Sequence, residues 1–349
     1  MPDIPAYVSR PRTVLGAHKV TTDEIADDIR AHHPDHPRLA AAVRAVHGCG
    51  VRTRHFTRPL TSETVAGTGG VGERARAAFT DALELAHEAA QAALTDANLS
   101  ATDLDGIVTT HSTGWSVPNL DVHLMTRLGM RPGARALAHT TLACTGGTKS
   151  LIRAADMVAA RPGSAVLVVA AEVISAVYHH SDTGIDAMIY KALFGDSAGA
   201  AVVSGEPLGP GFAIGDSFEH VLPGTMQHLG GRITPDGLHF DATKEGRAAS
   251  REALPAFTDW LGGRRTDFAV IHPGSPRIIS DTAAALRLDE RAARHSTDTL
   301  TDEGNLGGVS VLRVLERTHD EPPEPGARGT MVAYGPGFAT AALHGHWHA

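Results

Sequence analysis

The chain has 349 residues, 42% of them hydrophobic and 20% charged, enough to bury a sizeable core without disulfide staples. Two cysteines, Cys49 and Cys144, exclude a disulfide framework and a four-cysteine zinc site. A net charge of −8 speaks against a nucleic-acid binder. Residues 1–14 lack the pattern of a secretory signal, and no run reaches the roughly 18 apolar residues of a membrane span, so a cytoplasmic protein without a membrane partner is expected.

Residues 74–97 set Ala78, Leu83, Leu85, Ala89 and Leu94 at helical spacing, with Asn98 as the stop. Gly106-Ile107-Val108 predicts a short strand and residues 147–160 a helix. The valine-rich run 164–172 predicts a strand buried on both faces, and 198–204 repeats it. After the glycine-rich stretches 205–215 and 224–237 come a helix (247–261), a strand (267–272), helices at 278–286 and 309–317, a loop (322–329) and a strand (330–334). This alternation predicts an α/β fold around a buried sheet, with two halves, 1–206 and 207–349.

Cys144 lies in Cys144-Thr145-Gly146-Gly147, just before a predicted helix. A helix N-terminus favours a thiolate, although a cysteine there also serves as a small buried hydrophobe. His272 ends a predicted strand and precedes Pro273-Gly274, and strand ends are where α/β sheets gather ligands. Asn305 precedes a helix, where an asparagine is either a cap or a functional amide.

Seven segments occur in order along nearly the whole chain: Gly50-Val51-Arg52-Thr53-Arg54-His55, Ser112-Thr113-Gly114, Cys144-Thr145-Gly146-Gly147, Ala192-Leu193-Phe194-Gly195-Asp196, His272-Pro273-Gly274, Gly304-Asn305 and Gly335-Pro336-Gly337. With them the chain resembles the type III polyketide synthases, the chalcone-synthase-like branch of the thiolase superfamily. The resemblance implies a thiolase-like αβαβα fold of two similar halves, a homodimer, and a Cys-His-Asn site at the end of a tunnel.

It further implies that Cys144 takes a starter acyl group from coenzyme A. His272 would keep Cys144 ionised, and His272 with Asn305 would bind the thioester carbonyl of malonyl-CoA or an alkylmalonyl-CoA. Decarboxylative condensation and cyclisation to a pyrone or resorcinol-type ring would follow. The substrates are coenzyme A thioesters, and no metal or redox cofactor is required. Phe194 and Phe240 match the family's gating phenylalanines, and Arg52 and Arg54 match its coenzyme A-binding basic stretch. Ser112, Val177, Tyr190 and Gly307 fall at pocket positions, and the last three depart from the plant pattern, so an aromatic starter is not assumed. Ser112 stands where some bacterial relatives carry a second cysteine.

The alternatives are a ketoacyl-ACP synthase III-like enzyme making one condensation, and a catalytically silent acyl-CoA-binding protein. The first commonly has His-Gln-Ala-Asn where this chain has His272-Pro273-Gly274-Ser275; the second should have lost one of the three site residues. The groups His32-His33, His179-His180 and His344-x-His346-x-His348 read as surface or tail histidines, and Cys49 as structural.

Overall fold

Apolar runs too long to leave one face wet become the centre of a large sheet. The computed structural model describes residues 6–243, 245–289 and 291–349. The N-terminal half runs β1 (Ala6–Val8), β2 (Arg12–Leu15), β3 (His18–Thr21), α1 (Thr22–His32), α2 (Leu39–His47), β4 (Thr53–Phe56), α3 (Val71–Asp96), β5 (Gly106–His111), α4 (Leu120–Leu128), β6 (Arg135–Thr140), α5 (Gly146–Ala160), β7 (Ala165–Glu172), α6 (Ile185–Leu193) and β8 (Ser197–Ser204). The C-terminal half continues with β9 (Gly211–Val221), β10 (Leu229–Thr234), β11 (Gly237–Ala242), α7 (Gly246–Leu261), β12 (Phe268–Ile271), α8 (Pro276–Ala285), α9 (Arg294–Glu303), α10 (Ser310–Asp320), β13 (Arg328–Gly335) and β14 (Ala339–His348).

Among the described residues, ten strands form one sheet in the order β12-β13-β14-β9-β1-β8-β7-β5-β6, with β2 also on β8. β5 runs parallel to β6 and β7, and β12 parallel to β13. Short β1 pairs antiparallel with β8 on one side and β9 on the other, joining the halves. The boundary expected at residue 206 falls between β8 and β9, but β9 begins at Gly211, inside the stretch read as linker.

Strand alternation builds the layers. On β7, Val166, Val168 and Ala170 face one core, shared with Leu151, Ile152 and Val158 of α5 and Val311, Leu312 and Leu315 of α10. Their neighbours Leu167, Val169 and Ala171 face another core beneath α3. β13 divides likewise: Met331 and Ala333 meet the α5–α10 layer, while Val332 and Tyr334 face the core shared by α7 and α8. Helices, sheet, helices, sheet and helices thus alternate, the αβαβα order that the resemblance implies. Each fully buried Val or Leu contributes about 1.5–3 kcal/mol.

Elements before residue 71 have weaker sequence signals, and the strands there are short, with polar residues in each of β2, β3 and β4. α1 carries one nonetheless: Thr21 and Glu24 form a capping box, and Ile25, Ala26 and Ile29 face the core. β6 is an edge strand, most of its residues exposed, Ala136, Leu137 and Ala138 among them. Among the described residues, no helix is long and apolar enough to cross a membrane.

Two of the histidines depart from their reading as surface and tail groups, while His32 is exposed as expected. His179 is buried and stacks on His239, and His344 is buried within β14. Burial pushes His272 and His180 down to about 3, and His179, His319 and His344 down to about 4. Unfolded, each titrates near pH 6.5, so below that the unfolded chain binds more protons and stability falls with pH. Glu172 and Asp196, pushed up by burial to about 8 and about 6, act in the opposite sense but are fewer. The urea midpoint should therefore drop between pH 7 and pH 5; a flat or rising midpoint would contradict this account.

Candidate active site

Cys144 sits in a single 3₁₀ turn, Ala143–Thr145, that feeds directly into α5. Ala143 holds φ at +47°, a left-handed conformation uncommon outside glycine and often found at functional sites. Its N–H donates to Ser112 Oγ at 3.0 Å. Ser112 in turn donates to Glu172 through both Oγ (3.0 Å) and its backbone N–H (3.1 Å). Glu172 is buried at the end of β7, and burial pushes its carboxyl up to about 8, so it is mostly protonated at neutral pH.

Glu172 went unnoticed in the sequence, although an acidic residue closing a valine-rich strand was the available signal. Burial, with the nearby Glu172, pushes the Cys144 thiol up to about 12; the Asn305 amide opposes this but is outweighed. The helix N-terminus therefore does not by itself yield the expected thiolate.

Asn305 follows Gly304, just beyond α9, on a loop against this turn. Gly307 N–H donates to Asn305 Oδ1 at 2.9 Å, which turns Nδ2 toward Cys144 Sγ, 3.9 Å away. Gly307 itself has φ +57°, and a Cβ there would lie 3.1 Å from Glu172 Cγ and from Ile174 Cδ1. The Asn305 backbone brackets Phe194: its N–H donates to Leu193 O, and its carbonyl accepts from Gly195 N–H.

His272 follows β12, with its N–H on Val332 O of β13 at 2.8 Å. At its far end β13 reaches the Cys144 turn, where a Cβ on Gly335 would lie 3.1 Å from Thr145 Cγ2. The His272 ring is buried and neutral, and its Nδ1 has no hydrogen-bond partner among the described residues.

The aromatic residues gather next to Asn305. Phe194 meets Phe240 edge-on at 5.9 Å and Tyr190 at 5.4 Å, and Val177 packs on the same apolar cluster. Phe240 is delivered by the β10–β11 hairpin.

The arginine assignment needs correcting. Arg54 is fully buried and donates to Val20 O, Thr22 Oγ1 and Ala192 O, tying β4 to α1 and α6. It has no face left for a phosphate. Arg52 has 73% of its side chain exposed and pairs with Asp302 at 2.5 Å.

A thiol, an imidazole and an oriented amide are a set that can take an acyl group and stabilise a developing oxyanion or enolate. Comparison with known proteins agrees. Residues 50–207 match the family described as chalcone and stilbene synthases, N-terminal domain, and residues 214–345 its C-terminal domain. The chain is 33% identical to 1,3,6,8-tetrahydroxynaphthalene synthase of Streptomyces coelicolor, covering 98% of this chain and 92% of that one. A solved structure of that synthase superposes with a TM-score of 0.94 over 98% of this chain and 99% of the other. Phloroglucinol synthase of Pseudomonas fluorescens is 28% identical, covering 97% and 98% of the two chains. Germicidin synthase from Streptomyces coelicolor, a solved structure 30% identical, has a TM-score of 0.91 over 99% of this chain and all of its own.

Proposed function

This chain belongs to the chalcone and stilbene synthase family and is a type III polyketide synthase, and on that premise we propose how its residues divide the work. Cys144 attacks the starter acyl-CoA, passing its proton to His272. The coenzyme A thiolate leaves and takes that proton, so a thioester remains on Cys144. In the resting site burial keeps thiol and imidazole neutral. Moving one proton between them creates both charges together, and their attraction offsets part of the desolvation cost.

Malonyl-CoA then binds with its thioester carbonyl against His272 and Asn305 Nδ2. Loss of carbon dioxide leaves an enolate whose oxygen these donors stabilise, and its carbon attacks the Cys144 thioester, adding two carbons and releasing the thiolate. The observation that carries this reading is the Asn305 amide, fixed by Gly307 and directed at Sγ. Hydrogen-bond donors suffice for these steps, so no metal or redox cofactor is needed.

Phe194, Phe240, Tyr190, Val177, Ser112 and Gly307 shape the cavity that limits chain length, and Arg52, the exposed arginine of the pair, meets the coenzyme A phosphates. Relatives named for tetrahydroxynaphthalene, phloroglucinol and germicidin synthesis support a small cyclised product, here a pyrone or resorcinol-type ring. The exposed edge strand β6, with the exposed Trp115 and Val117, supports a homodimer. The cytoplasm, where coenzyme A thioesters are made and both cysteines would stay free, is the implied compartment.

The test is mass spectrometry of products formed from malonyl-CoA and a panel of short, branched, long-chain and aromatic acyl-CoA starters. Triketides or tetraketides from one class are expected; a single condensation supported only by an acyl carrier protein would reassign the enzyme. Asn305→Ala should slow malonyl-CoA decarboxylation by about 10²–10³-fold while starter loading changes far less. The reverse pattern would remove Asn305 from the enolate role.

A further inference from the structure

Two histidine pairs far apart in sequence, His32-His33 and His179-His180, meet in the fold. The segment after Val177 runs beside the end of α1, bringing His180 against His32, His33 and Asp28. The His32 and His180 rings stack with centroids 3.8 Å apart. His32 Nδ1 lies 3.2 Å from one oxygen of Asp28, and His180 Nε2 lies 3.4 Å from the other. Ligand atoms of Asp28, His32 and His180 all fall within 4.8 Å of one another, the one such group among the described residues. A tetrahedral zinc ion with bonds of about 2.0–2.1 Å holds its ligand atoms about 3.3 Å apart, close to these separations.

A second observation points to a ligand. His180 Nε2 is buried without a hydrogen-bond partner among the described residues, although it faces a carboxylate. His180 Nδ1 is engaged by His33 Nε2 at 3.4 Å, which leaves Nε2 as the donor atom. A neighbour that orients the carboxylate is also present, since the Tyr178 hydroxyl donates to Asp28 Oδ2 at 2.5 Å. His32 Nδ1 contacts the Asp28 carbonyl at 2.9 Å, a bond it gives up as the ring turns to the ion. Lys191 is the opposing charge: its Nζ donates to Asp182 O, and it lies over the Tyr178 ring.

We propose that Asp28, His32 and His180, with His33 behind His180, bind one divalent transition-metal ion of the zinc class that fastens α1 to the segment after Val177. Neutral imidazoles and one carboxylate suit such an ion. The stacked rings must open to receive it, and the tilt falls on His32, the half-exposed member of the set. The ion takes no part in the acyl chemistry. It stiffens a segment whose other face holds the gating hairpin, through His179 Nε2 on Leu238 O and Asp182 on His239 Nδ1.

The experiment uses the full chain, stripped with a chelator and titrated with Zn²⁺, then separately with Co²⁺. One equivalent per chain should bind at micromolar concentration, with the intense visible bands of four-coordinate cobalt. Zinc at 100 times its Kd should raise Tm by about 4 °C. His180→Ala should abolish both effects. His32→Ala, at a half-exposed site that tolerates truncation, should weaken binding at least about tenfold. His346→Ala, on β14, should bind as the parent does. A Kd weaker than about 100 µM, or binding that survives both His32→Ala and His180→Ala, would overturn the proposal.

Discussion

Replacing Cys144 with alanine is expected to abolish acyl-enzyme formation and to lower polyketide output by at least about 10⁴-fold, while malonyl-CoA decarboxylation continues. The donors we propose for the enolate are His272 and Asn305, and neither depends on Sγ for its position: Asn305 is oriented by Gly307 N–H, and His272 by its place after β12. Intact-protein mass after incubation with a starter acyl-CoA reads the first effect, and release of carbon dioxide from malonyl-CoA reads the second. Cys49 supplies an internal control. It is buried, burial raises its thiol, and its Sγ lies 3.9 Å from Ala192 O. An acyl adduct persisting in Cys144→Ala would move the nucleophile to Cys49, and equal loss of both activities would refute the division of labour.

Glu303→Ala is expected to cost about 3–5 kcal/mol of stability, because it leaves two guanidinium groups without their buried partner. Glu303 closes α9 two residues before Asn305 and accepts from Arg313 Nε (2.8 Å), Arg313 Nη2 (2.6 Å) and Arg317 Nη2 (2.7 Å). These arginines hold its carboxyl below the usual range despite burial. The cluster pins the loop of Asn305 to α10, so decarboxylation should fall along with stability. Urea unfolding measures the loss. A change under about 1 kcal/mol would show that Glu316, which also pairs with Arg313, suffices alone.

Long, one-sided patterns were legible in the sequence. α3, α5, β7 and β8 announce themselves because buried strands are apolar throughout and buried helices repeat at helical spacing. β9 is harder to read, since it changes burial along its length, and β14 because histidines and small residues interrupt its apolar pattern. β6 is exposed, and its apolar run, Ala136-Leu137-Ala138, is too short to stand out. At the site, Asn305 lies close to Cys144 as its motif implied, and Phe194 lies close to Phe240. Arg54 was misplaced because sequence shows a charge but not its burial: alternation on β4 turns it inward, where backbone carbonyls receive it. Glu172 escaped for a related reason, since a carboxyl kept protonated by burial looks like any acidic residue on paper.

In the function proposed above, β1 sets how substrates reach the thiol. Its few residues are hydrogen-bonded to both halves, so the sheet passes from one to the other without a hinge. Cys144 belongs to one half and Asn305 to the other, yet the two cannot part and close again around each substrate as hinged enzymes do. In that proposed function, admission and selection fall instead to side-chain rotation at Phe194, Phe240 and Tyr190. Changes in starter preference should therefore follow the volume of those three residues, with the backbone of the halves left as it is.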